Sequence, residues 1–190
     1  MARVSFARIL PVFLAFGLAT AGLAAAGTRE SVREILQARH PIPMAAADWR
    51  KLGADVDTWL VDAAGDASLN YGARERAMNG LAVLGGARAK EFLRRTIDQP
   101  KVAPQLLSSA VVAYARGFAR IDPSDVQAAS VPLLENPDWG VRQGAVRALG
   151  EVGTKGALDA LRLRQPRETH PAVQQSLRTA LAKAETPKPR

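Results

Sequence analysis

Few side chains in this 190-residue sequence could do chemistry, and their spacing argues against most of it. The two histidines, His40 and His170, each precede a proline, and neither stands in an H-E, H-x-x-H or H-x-x-x-H setting. Metal sites draw on such local pairs, so binding here would require ligands assembled from afar. Ser108 and Ser109 lie on a helical pattern without a nearby base, and no G-x-S-x-G elbow occurs. Gly85 and Gly86 close a helical segment rather than follow a strand, which is the wrong place for a phosphate cradle. The sequence therefore offers no nucleophile, no metal ligands and no cofactor site, and it reads as a non-enzyme. What remains is charge: Arg88, Arg94, Arg95, Lys155 and Arg162 are candidate partner-binding residues if the elements that carry them share a surface.

Those elements come from an internal repeat. Shifted by 68 residues, "LNYGARERAMNGLAVLGG" (69–86) registers without a gap on "NPDWGVRQGAVRALGEVG" (136–153). Gly72 meets Gly140, Arg74 meets Arg142, Ala77 meets Ala145, Leu81 meets Leu149 and Gly85 meets Gly153; Ala89 and Leu93 continue the match at Ala157 and Leu161. A weaker unit at 103–134 places Ala110 and Tyr114 where Ala145 and Leu149 would be. Residues 52–66 read as the second half of a unit and 171–185 as a first half that closes the array. Within a unit, Val141, Ala145, Ala148, Leu149 and Val152 recur at three- and four-residue intervals, one apolar face of a helix. Asp138 is placed to cap that helix and Gly153 to end it. A second helix follows and buries Ala157, Leu158 and Leu161. A pair this short cannot cover its own apolar face, so neighbouring pairs must stack.

With 136–161 as the strongest stretch, the chain resembles the HEAT-repeat proteins, in the short bacterial form shared with phycobilin lyases. The resemblance covers roughly 52–185 and implies an all-α, right-handed α-solenoid of antiparallel helix pairs, about three full repeats with partial capping units. It further implies that second helices line the concave face, and that Arg74 and Arg142 brace neighbouring units through acids such as Asp138 or Glu135. Tyr71 and Trp139, at one repeat position, are expected to plug the groove between units, and Trp59 to be core. On the second helices, burial of Ala89, Phe92, Leu93 and Ile97 leaves Arg88, Glu91, Arg94 and Arg95 outside; burial of Ala157, Leu158 and Leu161 leaves Lys155, Asp159 and Arg162 outside. The expected result is a mainly positive concave stripe interrupted by two acids, against the simpler alternative of a solvated, self-paired surface. The His-Glu pairs of the HEAT-like iron hydroxylases are missing.

The ends complete the reading. Residues 1–26 have a basic start (Arg3, Arg8), an apolar run and Ala24-Ala25-Ala26, the pattern of a cleaved secretory signal. An uncleaved anchor is the alternative, since about 18 apolar residues just span a bilayer. Residues 27–51 read as a helical cap, with Thr28 at its start, and a proline link; 52–185 is the array, and 186–190 a disordered tail. Cleavage would leave 24 basic against 18 acidic residues and no cysteine, hence a periplasmic or secreted protein stabilised by core burial alone. The functional expectation is an exported scaffold offering a basic face to an acidic envelope protein or peptide, without stable membrane insertion. Polyanion or nucleic-acid binding, by analogy with HEAT-like DNA glycosylases, is the runner-up, and a bilin lyase-like chaperone or enzyme the third reading.

Overall fold

A computed structural model describes residues 28–39 and 43–185. The expected signal peptide, His40, Pro41 and the tail at 186–190 lie outside the described residues. Ten α-helices are present and, among the described residues, no strand: α1 (Arg29–Gln37), α2 (Ala46–Arg50), α3 (Val56–Gly65), α4 (Tyr71–Leu84), α5 (Gly86–Asp98), α6 (Pro104–Phe118), α7 (Pro123–Ser130), α8 (Trp139–Val152), α9 (Lys155–Arg164) and α10 (Pro171–Glu185). They form two layers of an α-solenoid. The first layer runs α1, α4, α6, α8, α10; the second runs α3, α5, α7, α9.

Local signals act where the repeat places them. Asn70 and Asp138, one repeat position, each accept a hydrogen bond from the backbone N–H three residues on, at 2.9 and 3.0 Å. Each thereby satisfies a donor that the helix start leaves open. Thr28 and Thr154 cap α1 and α9 in the same way. Gly153 ends α8 in the left-handed conformation (φ 62°), which a side chain would disfavour.

The inward faces are as the periodicity predicts. Ala77, Leu81, Ala89, Leu93, Ala145, Leu149, Ala157 and Leu161 are fully buried, as are Ala110 and Tyr114 of the weak middle unit. Leu158 is only partly buried. Trp59 packs partly buried against the core, while Trp49 of the short α2 is buried within it. One apolar cluster extends from α1 into α8, and a second, smaller one joins α8, α9 and α10.

The two layers differ in spacing. Helices of the first layer lie against each other along much of their length, whereas α5 and α7 touch only briefly. Small residues permit the close approach. A Cβ at Gly117 would come within 3.0 Å of the Ala82 carbonyl oxygen, one at Gly144 within 3.1 Å of the Ser108 carbonyl oxygen, and one at Gly150 within 2.9 Å of the Ala180 methyl. The first layer is thus the more closely packed of the two.

Candidate binding face

The five cations singled out from the sequence do not form one bare stripe. Arg88, Arg94 and Arg95 lie on α5, Lys155 and Arg162 on α9, and α7 with the 3-10 turn Val131–Glu135 stands between them. Most are already paired. Arg88 meets Asp57 at 2.7 Å, and Arg94 meets Asp98 at 3.1 Å and Asp125 at 3.5 Å. Lys155 and Arg162 both reach Asp159, at 2.7 and 3.0 Å. Arg95 alone of the five has no carboxylate partner among the described residues. Acids of the weakly matching middle unit do part of this neutralising: Asp122 and Asp125 also hold Lys90, at 2.8 and 3.3 Å. Lys90 holds the Asp122 carboxyl down at about 2. The second-layer surface is thus largely self-compensated.

The repeat-position arginines brace units, but not through the expected acids. Arg142 grips Glu168 with two parallel bonds of 2.8 and 2.9 Å, and donates to the carbonyls of Asn136 and Pro137. Glu168, 26 residues downstream, is 3 % exposed. It also meets Arg164 at 2.8 Å and accepts the backbone N–H groups of Thr169 and His170 at the start of α10. The Arg142 guanidinium, aided by the His170 N–H and Arg164, overrides burial and holds the Glu168 carboxyl at about 2. Glu135 pairs with Arg164 and Arg167 instead. Arg74 has no acid here and donates to the Ala64 carbonyl at 2.9 Å. Nor do the aromatic residues plug grooves: Tyr71 is 53 % and Trp139 45 % exposed, and Trp139 lies flat on His170 with ring centres 4.2 Å apart.

Unpaired positive charge gathers on the other layer. Arg76 on α4, Arg116 on α6 and Arg147 on α8 have no carboxylate partner among the described residues. Arg76 donates to the Leu36 carbonyl at 2.6 Å and Arg116 to the Asn79 side chain at 2.7 Å, so both guanidinium groups are held by neutral acceptors. Arg147 is exposed beside Glu151, which meets Lys183 at 3.5 Å. Two clefts open on this face. One, of about 500 Å³, lies between α6, α8 and α10; the other, of about 270 Å³, between α1, α2 and α4. Arg116 lines both. The sequence expectation named cations on α5 and α9 instead, because it took the second helices as the binding side. The available signal was Arg147 at i+8 from Trp139, outward on a helix whose other face is apolar.

Catalytic groups do not converge among the described residues. Ser108 donates its hydroxyl to the Gly140 carbonyl at 2.8 Å, a brace between α6 and α8. No group of three potential metal ligands comes together among the described residues, and no described helix is long and apolar enough to cross a membrane.

Comparison with known proteins agrees with this architecture. A family model for HEAT repeats matches residues 110–182. Among solved structures, the complex of CpcE and CpcF of phycocyanin lyase from Nostoc sp. PCC7120 is similar in fold, with a TM-score of 0.57 at 17 % identity over 71 % of this chain and 85 % of that one. No curated protein sequence matches the chain significantly. Stacked helix pairs and the repeated caps make this chain an α-solenoid that is similar to HEAT repeats over residues 110–182 and, in fold, to a chain of a phycocyanin lyase complex.

Proposed function

We propose that this protein is an exported, non-enzymatic scaffold that holds an acidic protein or peptide against its first-layer face. The observation that carries the reading is the contrast between layers. Second-layer cations are mostly matched by aspartates, whereas Arg76, Arg116 and Arg147 on three successive first-layer helices have only neutral acceptors or solvent. Guanidinium groups oriented by neutral acceptors retain donors that match a carboxylate. Repeat stacking supplies the long surface that such a partner needs. Ser108 and His170, the residues nearest to catalytic types, are engaged in packing, which supports a binding role over a reaction. The fold likeness to a lyase assembly concerns architecture alone.

Crosslinking in intact cells, followed by identification of captured proteins, tests the proposal. The parent chain should capture one defined envelope protein, and Arg116→Glu with Arg147→Glu should abolish the capture while helicity is retained. Capture of anionic polymer only would transfer the face to polyanion binding. Export is tested separately by intact mass: a chain starting within a few residues of Gly27 in the periplasmic or secreted fraction is expected, and a full-length chain retained in membranes would refute it.

A further inference from the structure

We infer that the first-layer face is one continuous trough for a single linear segment of the partner, read as two apolar anchors on either side of a carboxylate. This deepens the scaffold reading and rests on it. The larger cleft has an apolar floor of Val112, Ala115, Ala148 and Ala180. Its neighbour is lined by Ile35, Met44, Trp49 and Val83, with Val83 38 % exposed. Between them rises Arg116, common to both clefts and held upright by Asn79. The order along the face is therefore apolar basin, cation, apolar basin.

Charge complementarity selects the occupant. Arg116 and Arg147 at the larger cleft, and Arg76 at the smaller, form no ion pair with a described carboxylate, and Glu151, the acid that also lines the larger cleft, meets Lys183 of the same cleft. A carboxylate set over Arg116 would accept a charge-assisted bond, and apolar side chains on each side would cover floors that a sugar-phosphate polymer leaves wet. Packed helices sit about 8–10 Å apart, so basins two helices apart require anchors separated by about 20 Å. An extended segment covers that span in about six residues and a helix in about 13. The second basin has a further consequence. It is built in part by Met44 and Trp49, which precede the repeats, so the N-terminal segment contributes to recognition as well as covering the first repeat.

A displayed library of random 16-residue linear peptides, selected on the purified chain, tests the trough. Enriched peptides should carry Asp or Glu between two apolar residues. A synthetic copy of the most enriched peptide should lose about tenfold or more in affinity to Arg116→Glu. Val83→Asp and Val112→Asp should each weaken it several-fold, and Arg94→Glu with Arg162→Glu should leave it unchanged. Circular dichroism on each variant separates lost binding from lost fold. Failure to enrich any peptide, enrichment of peptides without an acid, or indifference to Arg116→Glu in a folded variant would each overturn the trough. Peptides that respond only to the Arg94 and Arg162 changes would overturn it while leaving the scaffold standing; heparin binding without peptide binding would overturn both.

Discussion

Glu168 gathers several charged and polar partners at one buried point. Its carboxylate is buried, yet it receives two bonds from Arg142, one pairing from Arg164 and two backbone N–H groups. Truncating one partner of such a buried pair leaves the others unmatched, at a cost of about 3–5 kcal/mol. Glu168→Ala should therefore release α9 and α10 first, seen as accelerated amide exchange in 155–185 while α4 to α6 stay protected. Its acid response has a definite sign. The folded carboxyl titrates at about 2, below the ordinary carboxylate value of 4.5. The stabilisation is present above the ordinary value and is lost as pH falls from about 5 toward 2. Melting temperature should drop across that window in the parent, and more shallowly in Glu168→Gln.

At the scale of elements, the close first-layer spacing depends on glycines facing small residues. Gly144 approaches both the hydroxyl and the backbone of Ser108, so a larger side chain must push α8 from α6. Gly144→Val is expected to destabilise by about 1–3 kcal/mol, with lost thermal stability as the readout. The same substitution at Gly65, where an added Cβ would meet nothing within 4 Å, should do far less. Leu149, fully buried in the cluster shared by α8, α9 and α10, gives the complementary test. Leu149→Asp should abolish the cooperative helical transition of that cluster, since an unpaired charge there costs several kcal/mol, roughly, against a total stability of about 5–15. An unchanged melt would contradict its placement.

For the whole molecule, the two layers divide labour. The second layer ties units together with ion pairs between successive helices, such as Arg88 to Asp57 and Arg94 to Asp125. Those pairs remain partly open to solvent and each contributes little, about 0–1 kcal/mol. The first layer provides the tight packing, and in the proposed function its Arg76, Arg116 and Arg147, rather than the paired Arg142, meet the partner. If so, raising salt from low to physiological strength should weaken partner binding only modestly, because few charges are involved. A polyanion contacting six or more cations would instead lose about 10³-fold or more over 50 to 200 mM. A titration series in salt reads the difference.

Helix boundaries, caps and inward faces were legible in the residues themselves. Asn70, Asp138, Thr28 and Gly153 act within their own turn, and Leu81 and Leu149 face inward by periodicity, so their roles need no knowledge of distant chain. The repeat of 68 residues likewise carried the stacked architecture, because short amphipathic pairs have no other way to cover their apolar faces. Tertiary structure decided the rest. Glu168 becomes the partner of Arg142 only when α10 docks on α8, and Asp125 reaches Arg94 only across the boundary between units. How closely the first-layer helices pack depends on the approach of Gly117 to Ala82 and of Gly144 to Ser108, contacts between units that no single repeat encodes. Charge follows from sequence, but whether a charge is matched depends on what the stacked neighbour brings within about 4 Å, and that moved the candidate face from Arg94 and Arg162 to Arg76, Arg116 and Arg147.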